Sequence, residues 1–347
     1  MLPQSIKSSL REAASSVYYA TGHFLSLLKG RVLILMYHRV LPPEGVGQSY
    51  VQAGMYVRSD VFERQVRFLK RHFRILRFSE LLDLWEGKGL DRTTRYCVIT
   101  FDDGWKDNYR YAYPALKENR VPATIFLPTS LIGSDRWFWS DRLGYLLGAL
   151  LDARGEREGR RLLGSLLEKP GSGRTVSAQC AEEGIDAVIE HCKELPDETI
   201  EALIGRIGEE AGVEVPGKRR FLTWKEAREL AEGGSSFGAH SCTHRILTRV
   251  SPDEVRQEAG GSLEALRREG VDSVPVFCYP DGRSTPEMER QIQDAGYRAA
   301  VGTTFGCEGA MPRNRFRLRR IGIHNDISRT IPLLVSRLAG ADRFFAR

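Results

Sequence analysis

Tyr96-Cys97-Val98-Ile99-Thr100-Phe101-Asp102-Asp103-Gly104 decides the reading of this chain. Its first six residues form an apolar run of the length expected for a strand buried on both faces, as in a parallel sheet. Two adjacent carboxylates and a glycine follow directly. Desolvating two neighbouring carboxylates is costly unless a cation or a donor network compensates them, so a metal ion, an arginine or catalysis is expected there. The carboxyl ends of strands are also where parallel α/β folds place their sites. The competing reading is that both aspartates cap a helix starting near Trp105.

Working outward, apolar runs at 32–37, 124–127, 236–239, 274–279, 298–302 and 318–323 join 96–101 as seven strand candidates. Helical patterns separate them, the signature of β-α repetition and a mostly parallel sheet. Phe62, Val66, Leu69 and Phe73 fall at helical spacing after a cap at Ser59 or Asp60. Thr223 with Glu226, and Ser251-Pro252 with Glu254, match the reciprocal capping pattern. Pro286 after Thr285, with Gly296 beyond, brackets another helix. Residues 135–216 interrupt the alternation with a charged, helix-like stretch broken at Gly171-Ser172-Gly173, which predicts an inserted helical subdomain. Its aromatic entry, Trp137, Phe138 and Trp139, suits core packing or sugar stacking. The remaining divisions are residues 31–134 with 217–330 as the main domain and 331–347 as a C-terminal helix or tail.

A second cluster, His240-Ser241-Cys242-Thr243-His244, again follows a strand-like run. Residues i and i+4 face the same way on a helical turn or a similarly curled loop, so both imidazoles can reach one ion. Alone, the spacing fits a packed or surface histidine pair equally well. Together the clusters complement each other. Asp103, His240 and His244 make the three-ligand set of a catalytic zinc site with one position open for water, and Asp102 is left to take a proton from that water.

TFDDG at 100–104 and HSCTH at 240–244, in this order and separation, resemble the first two motifs of the polysaccharide deacetylase family, the NodB-like carbohydrate esterases of family 4. The likeness runs from about residue 32 to 323 with the insertion left out. Tyr37-His38-Arg39-Val40, Pro122-Ala123-Thr124 and Phe277-Cys278-Tyr279-Pro280-Asp281-Gly282 support it. The resemblance implies an irregular (β/α)7 barrel and metal-dependent hydrolysis of acetyl groups from a polysaccharide, oligosaccharide or lipid-linked sugar, N-acetyl favoured over O-acetyl. It implies one divalent ion, zinc foremost with cobalt, nickel or manganese as alternatives, held by Asp103, His240 and His244. Asp102 is the implied general base, metal-bound water the nucleophile, and a backbone N–H in the Tyr279, Pro280, Asp281 stretch the implied oxyanion donor and substrate contact. Asp281 stands where relatives commonly carry an aromatic residue, and the fourth motif, an Asp-Trp pairing, is not found. His324 is the best match for the proton donor, with Gly322 in place of an expected leucine; His38 competes for that work, and either histidine also fits a structural role. A non-catalytic carbohydrate-binding module retaining a structural metal is the alternative. A glycosidase is not, since its two carboxylates must stand about 5 to 10 Å apart across the scissile bond.

Composition sets the bounds. With 347 residues, 41% hydrophobic and 28% charged, the chain suits one large barrel with an insertion and excludes disordered or membrane-embedded classes. The net charge of +6, from 51 basic and 45 acidic residues, is too mild for a nucleic-acid binder. Six cysteines without CxxC pairing read as reduced thiols, and residues 1–29 lack the order of a secretory signal; both predict the cytoplasm. Residues 1–30 read as a basic amphipathic helix with Leu10, Ala14, Val17, Ala20, Phe24 and Leu28 near one stripe. Such a helix packs on its own domain or makes peripheral contact with a membrane's inner face. Arg313, Arg315, Arg317 and Arg319 alternate, as a solvated strand face or an anion site would. No oligomeric state is legible.

Overall fold

A computed structural model of the protein describes residues 4–46, 50–87, 89–167 and 183–345. Cys180 and the Gly171-Ser172-Gly173 break lie outside them. Ten strands are seen among these residues: β1 (Val32–Tyr37), β2 (Arg39–Leu41), β3 (Tyr56–Arg58), β4 (Arg74–Ile75), β5 (Tyr96–Phe101), β6 (Thr124–Leu127), β7 (Ser236–Ala239), β8 (Ser273–Cys278), β9 (Ala299–Phe305) and β10 (Leu318–Gly322).

The parallel order β1-β10-β9-β8-β7-β6-β5 returns to its start because β5 also pairs with β1 along their full lengths, Val32 opposite Tyr96 through Tyr37 opposite Phe101. The result is a closed seven-strand parallel barrel. Its strands are the seven expected runs, with ends moved by up to three residues. Two-residue β4 adds to β5 outside the ring, and β2 pairs with β3 separately. Register shifts in β7–β8 and β9–β10 make the barrel irregular.

Closure explains the apolar runs, because each strand is covered on both faces. One core cluster gathers alternate residues of neighbouring strands, Val32 and Ile34, Tyr96 and Val98, Val274, Val276 and Cys278, Ala299 and Val301. Leu318 joins them, as do Phe78, Leu81 and Trp85 of the helix Phe78–Glu86. With period 2, the same face continues as Thr100 and Asp102 after Val98, and as Arg320 after Leu318. The core face of these strands therefore changes from apolar to charged at the carboxyl end of the ring.

The helix Ser59–His72 buries Phe62, Val66 and Leu69 as its spacing predicts, with Arg58 rather than Ser59 or Asp60 at the cap position. Both capping boxes form: Thr223 Oγ1 accepts from Glu226 N–H at 3.1 Å, and Ser251 Oγ from Glu254 N–H at 3.3 Å. The helix expected across residues 1–30 is instead two, α1 (Gln4–Ala20) and α2 (Phe24–Leu27). Gly22, at φ 64°, lies between them and rotates the stripe, so Phe24 and Leu28 are buried while Leu10 and Val17 are exposed. Among the described residues no helix is long and apolar enough to cross a membrane.

Two compact units are present, one of residues 1–43, 54–134 and 221–347, the other of residues 44–53 and 135–220. The second is helical, with Trp139–Arg154, Glu156–Leu167, Ile185–Cys192 and Asp197–Ala211 closing on Leu143, Leu147, Leu150, Val188, Ile189, Leu203 and Ile207. Its aromatic entry packs internally: Trp137 lies 3.9 Å beneath the Arg220 guanidinium and edge-on to Tyr145, and its indole N–H donates to the Lys218 carbonyl at 2.9 Å. The five described cysteines are free thiols.

Candidate active site

The two carboxylates after β5 diverge because the backbone turns sharply beneath them. Asp103 takes φ 74° and Gly104 φ 61°, both left-handed; a Cβ at Gly104 would meet Leu127 Cδ2 at 2.7 Å as well. Trp105 Nε1–H donates to Asp103 Oδ2 at 2.9 Å. That indole stacks on Phe221 and lies 4.6 Å beneath the Arg39 guanidinium, which Asp107 holds at 2.8 Å. One oxygen of Asp103 is thus fixed by a packed indole. The other, Oδ1, faces His240 Nε2 at 3.3 Å and His244 Nε2 at 3.2 Å.

His240 directly follows β7, and its Nδ1–H donates to the Cys278 carbonyl at 2.8 Å, which turns Nε2 toward Asp103. His244 is presented by a loop rather than a helical turn, with Ser241 at φ 59° and His244 itself at φ 64°. Its N–H donates to Ser241 Oγ at 2.9 Å. Glu258, on the helix Pro252–Arg268, accepts from Cys242 N–H at 2.7 Å, Thr243 N–H at 2.9 Å and Thr243 Oγ1–H at 2.6 Å. The loop therefore takes its shape from a carboxylate outside the ligand set. Glu258→Ala is expected to weaken divalent-ion affinity by about 10- to 100-fold, the usual consequence of losing an outer-sphere partner. Isothermal titration with zinc or cobalt measures this, with circular dichroism establishing an intact fold.

Asp103, His240 and His244 offer three ligand atoms within 4.8 Å of one another. A tetrahedral ion with bonds of about 2.0 to 2.1 Å separates its ligands by about 3.3 Å, and Asp103 Oδ1 stands at that separation from both imidazoles. The residues fit such an ion. Asp102, His240 and Cys278 form a second candidate group, but the Arg320 guanidinium touches both Asp102 and Cys278 Sγ, so a positive charge already serves them. Burial pushes the Asp103 carboxyl up, yet the hydrogen bonds from His240 and His244 more than reverse this and hold it well below the usual carboxylate range.

Asp102 is held by the fully buried Arg320, whose two terminal nitrogens donate to Oδ1 and Oδ2 at 2.7 Å each. The remaining guanidinium donors reach the Gly302 carbonyl at 2.7 Å, Thr100 Oγ1 at 3.2 Å and Cys278 Sγ at 3.3 Å. Burial pushes the Asp102 carboxyl up as well, and the charge and hydrogen bonds of Arg320 outweigh it, leaving the pKa lowered. His38 Nε2 stands 3.8 Å from Asp102 Oδ2, and burial lowers its pKa. His324, at the start of the short helix Asn325–Ser328, turns Nδ1 to Asp326 Oδ2 at 3.2 Å. Tyr279 is buried; its hydroxyl donates to the Phe316 carbonyl at 3.0 Å and its N–H to the Val301 carbonyl at 3.2 Å. Pro280 has no N–H, and neither residue can lend an amide donor to the site. Asp281 adopts φ 59° and pairs with Arg283 Nε at 2.7 Å.

The sequence profile described as polysaccharide deacetylase matches residues 90–300, well over half of the chain. The chain belongs to the polysaccharide deacetylase family. A Bacillus subtilis (strain 168) protein, YxkH, provisionally described as a polysaccharide deacetylase, is 20% identical over 233 residues, 67% of this chain and 53% of the relative. The chain thus spans about half the length of the curated relative it matches. Among solved structures, the Streptococcus pyogenes deacetylase PplD in complex with acetate superposes with a TM-score of 0.56 at 20% identity, covering 89% of this chain and 98% of that one. IcaB from Ammonifex degensii gives 0.54 at 16% identity over 89% and 97%. At these identities the likeness is one of fold.

In this chain the three expected ligands meet at one point, with Asp102 and His38 beside them. Sequence reasoning missed Arg320, Trp105 and Glu258. Arg320 carried a signal: it falls two residues after Leu318, on the face that should be apolar. The alternating arginines drew attention from it, and three of the four are already engaged by carboxylates, Arg315 by Glu86, Arg317 by Glu289 and Arg319 by Glu308.

Proposed function

We propose that this chain is a metal-dependent deacetylase that hydrolyses acetyl groups of an acetylated glycan, N-acetyl in preference to O-acetyl. The observation that carries the reading is the convergence of Asp103 Oδ1, His240 Nε2 and His244 Nε2 beside a carboxylate, Asp102, that is buried yet kept ionised by Arg320. A divalent ion held by the three ligands, zinc foremost with cobalt, nickel or manganese as alternatives, would polarise a carbonyl and acidify water. Asp102 acts as general base: its oxygens are in place and its charge is maintained. A proton taken at Asp102 Oδ2 has His38 Nε2 3.8 Å away. His38, kept neutral by burial, receives that proton and delivers it to the departing amine. We assign the donor to His38, which adjoins Asp102, rather than to His324, for which no contact with Asp102 or Asp103 is seen among the described residues. Asp281, three residues after the Cys278 whose carbonyl holds His240, is assigned to substrate contact. A binding module with a structural ion has no use for a charged Asp102 oriented by a buried arginine.

Acetate release from a panel of N- and O-acetylated glycans tests the reading. Chelation should abolish release and added zinc or cobalt restore it. His38→Ala should lower turnover by about 10²- to 10⁴-fold, the range of a general acid, and His324→Ala far less. The opposite ranking moves the donor to His324. No release from any glycan by the ion-loaded protein sinks the catalytic reading.

A further inference from the structure

The helix α1 lies on the barrel unit with its polar side inward. Arg329 donates to Ser8 Oγ at 3.1 Å and pairs with Glu12, Arg11 donates to the Asp326 carbonyl, and Ser15 is fully buried. Leu10 and Val17, two turns apart on the opposite side, are 56% and 69% exposed, and Ala13 and Ala20 beside them are exposed too. Leu27 of α2 is a further exposed apolar side chain, at 48%. A helix that served only its own domain would turn its apolar stripe to that domain.

Charge narrows what covers the outward face. Residues 1–31 contain Lys7, Arg11, Lys29 and Arg31 against Glu12, four minus one or +3, half of the chain's +6. Glu12 is neutralised by Arg329, whereas Lys7, Lys29 and Arg31 are exposed. A second copy meeting this face through a two-fold axis would oppose like charges. An open hollow lined by Tyr18, Thr21, Gly22, His23 and Ser26 adds polar groups at the carboxyl end of α1.

We infer that α1 is a docking surface for an anionic lipid bilayer. Leu10, Val17 and Leu27 enter the headgroup boundary while Lys7, Lys29 and Arg31 meet lipid phosphates. Apolar burial and electrostatic attraction add in such interfacial helices. The inference is independent of the catalytic reading.

Cosedimentation of the full, ion-loaded chain with vesicles of phosphatidylglycerol mixed with phosphatidylcholine tests it, against vesicles of phosphatidylcholine alone. Binding to the anionic vesicles should be stronger by about tenfold or more and should weaken as salt is added. Leu10→Ser with Val17→Ser should lower partitioning by about tenfold, and Lys7→Glu by several-fold. Both variants alter exposed positions, and an unchanged melting temperature establishes that they fold. Absence of wild-type binding at low salt, or equal binding by the double variant, overturns the inference. So does a wild-type dimer that the double variant dissociates, which would assign the face to a second copy.

Discussion

Asp102→Asn is expected to lower turnover by about 10³-fold or more while the ligand set keeps its ion. Asparagine preserves the shape of the side chain and a carbonyl oxygen toward Arg320, but it cannot take up a proton as a base. Asp103, His240 and His244 are untouched, so divalent-ion affinity measured by titration should change little. The substitution also leaves the buried Arg320 without its counter-charge, so about 3 to 5 kcal/mol of stability should be lost, the typical result of breaking a buried pair. Kinetics belong well below the variant's melting temperature, with circular dichroism as control. Turnover within about tenfold of wild type would remove Asp102 from the role of base, since a base contributes about 10²- to 10⁴-fold.

Arg320→Met should have the second large effect, through Asp102. Arg320 is what reverses the upward push of burial on that carboxyl. With Arg320 present, the folded-state pKa lies below the unfolded one. The pair then adds stability above the unfolded pKa of about 3.9, and this is lost as pH falls through the folded value. With methionine, burial acts without its main opponent and the carboxyl rises. The acid limb of the pH–rate profile should therefore move to higher pH, and stability near neutrality should fall by about 3 to 5 kcal/mol, because a buried charge has lost its partner. Combining Asp102→Asn with Arg320→Met should recover much of that stability and none of the turnover. An unchanged melting temperature together with an unchanged acid limb would rule out this role for Arg320.

Legibility in the sequence followed the range of the interactions. The barrel strands could be read because closure buries both faces of each, leaving an uninterrupted apolar run such as Val32–Tyr37. Caps could be read because Thr223 with Glu226, and Ser251 with Glu254, act within four residues. The candidate ligands Asp103, His240 and His244 could be read because they lie in two local clusters at strand ends. Arg320 meets Asp102 across 218 positions of chain, and no local pattern announces that. Glu258 looks like any helical glutamate until the loop carrying His244 is folded against it. The N-terminal stripe was misread for a local reason: Gly22 breaks the helical phase, so Phe24 and Leu28 belong to a different face from Leu10 and Val17.

Left-handed backbone at Asp103, Ser241, His244 and Asp281 has a consequence for how such a chain can drift. An L-residue in that conformation gives up about 1 to 2 kcal/mol that glycine would not. Two of the four positions carry proposed ligands, so glycine at Asp103 or His244 would relieve the backbone in the same step that deletes a ligand. Selection for thermal stability alone, or a lineage relieved of the need for the activity, has a downhill path at these positions. The side chains persist against that gradient only while something is selected that needs them.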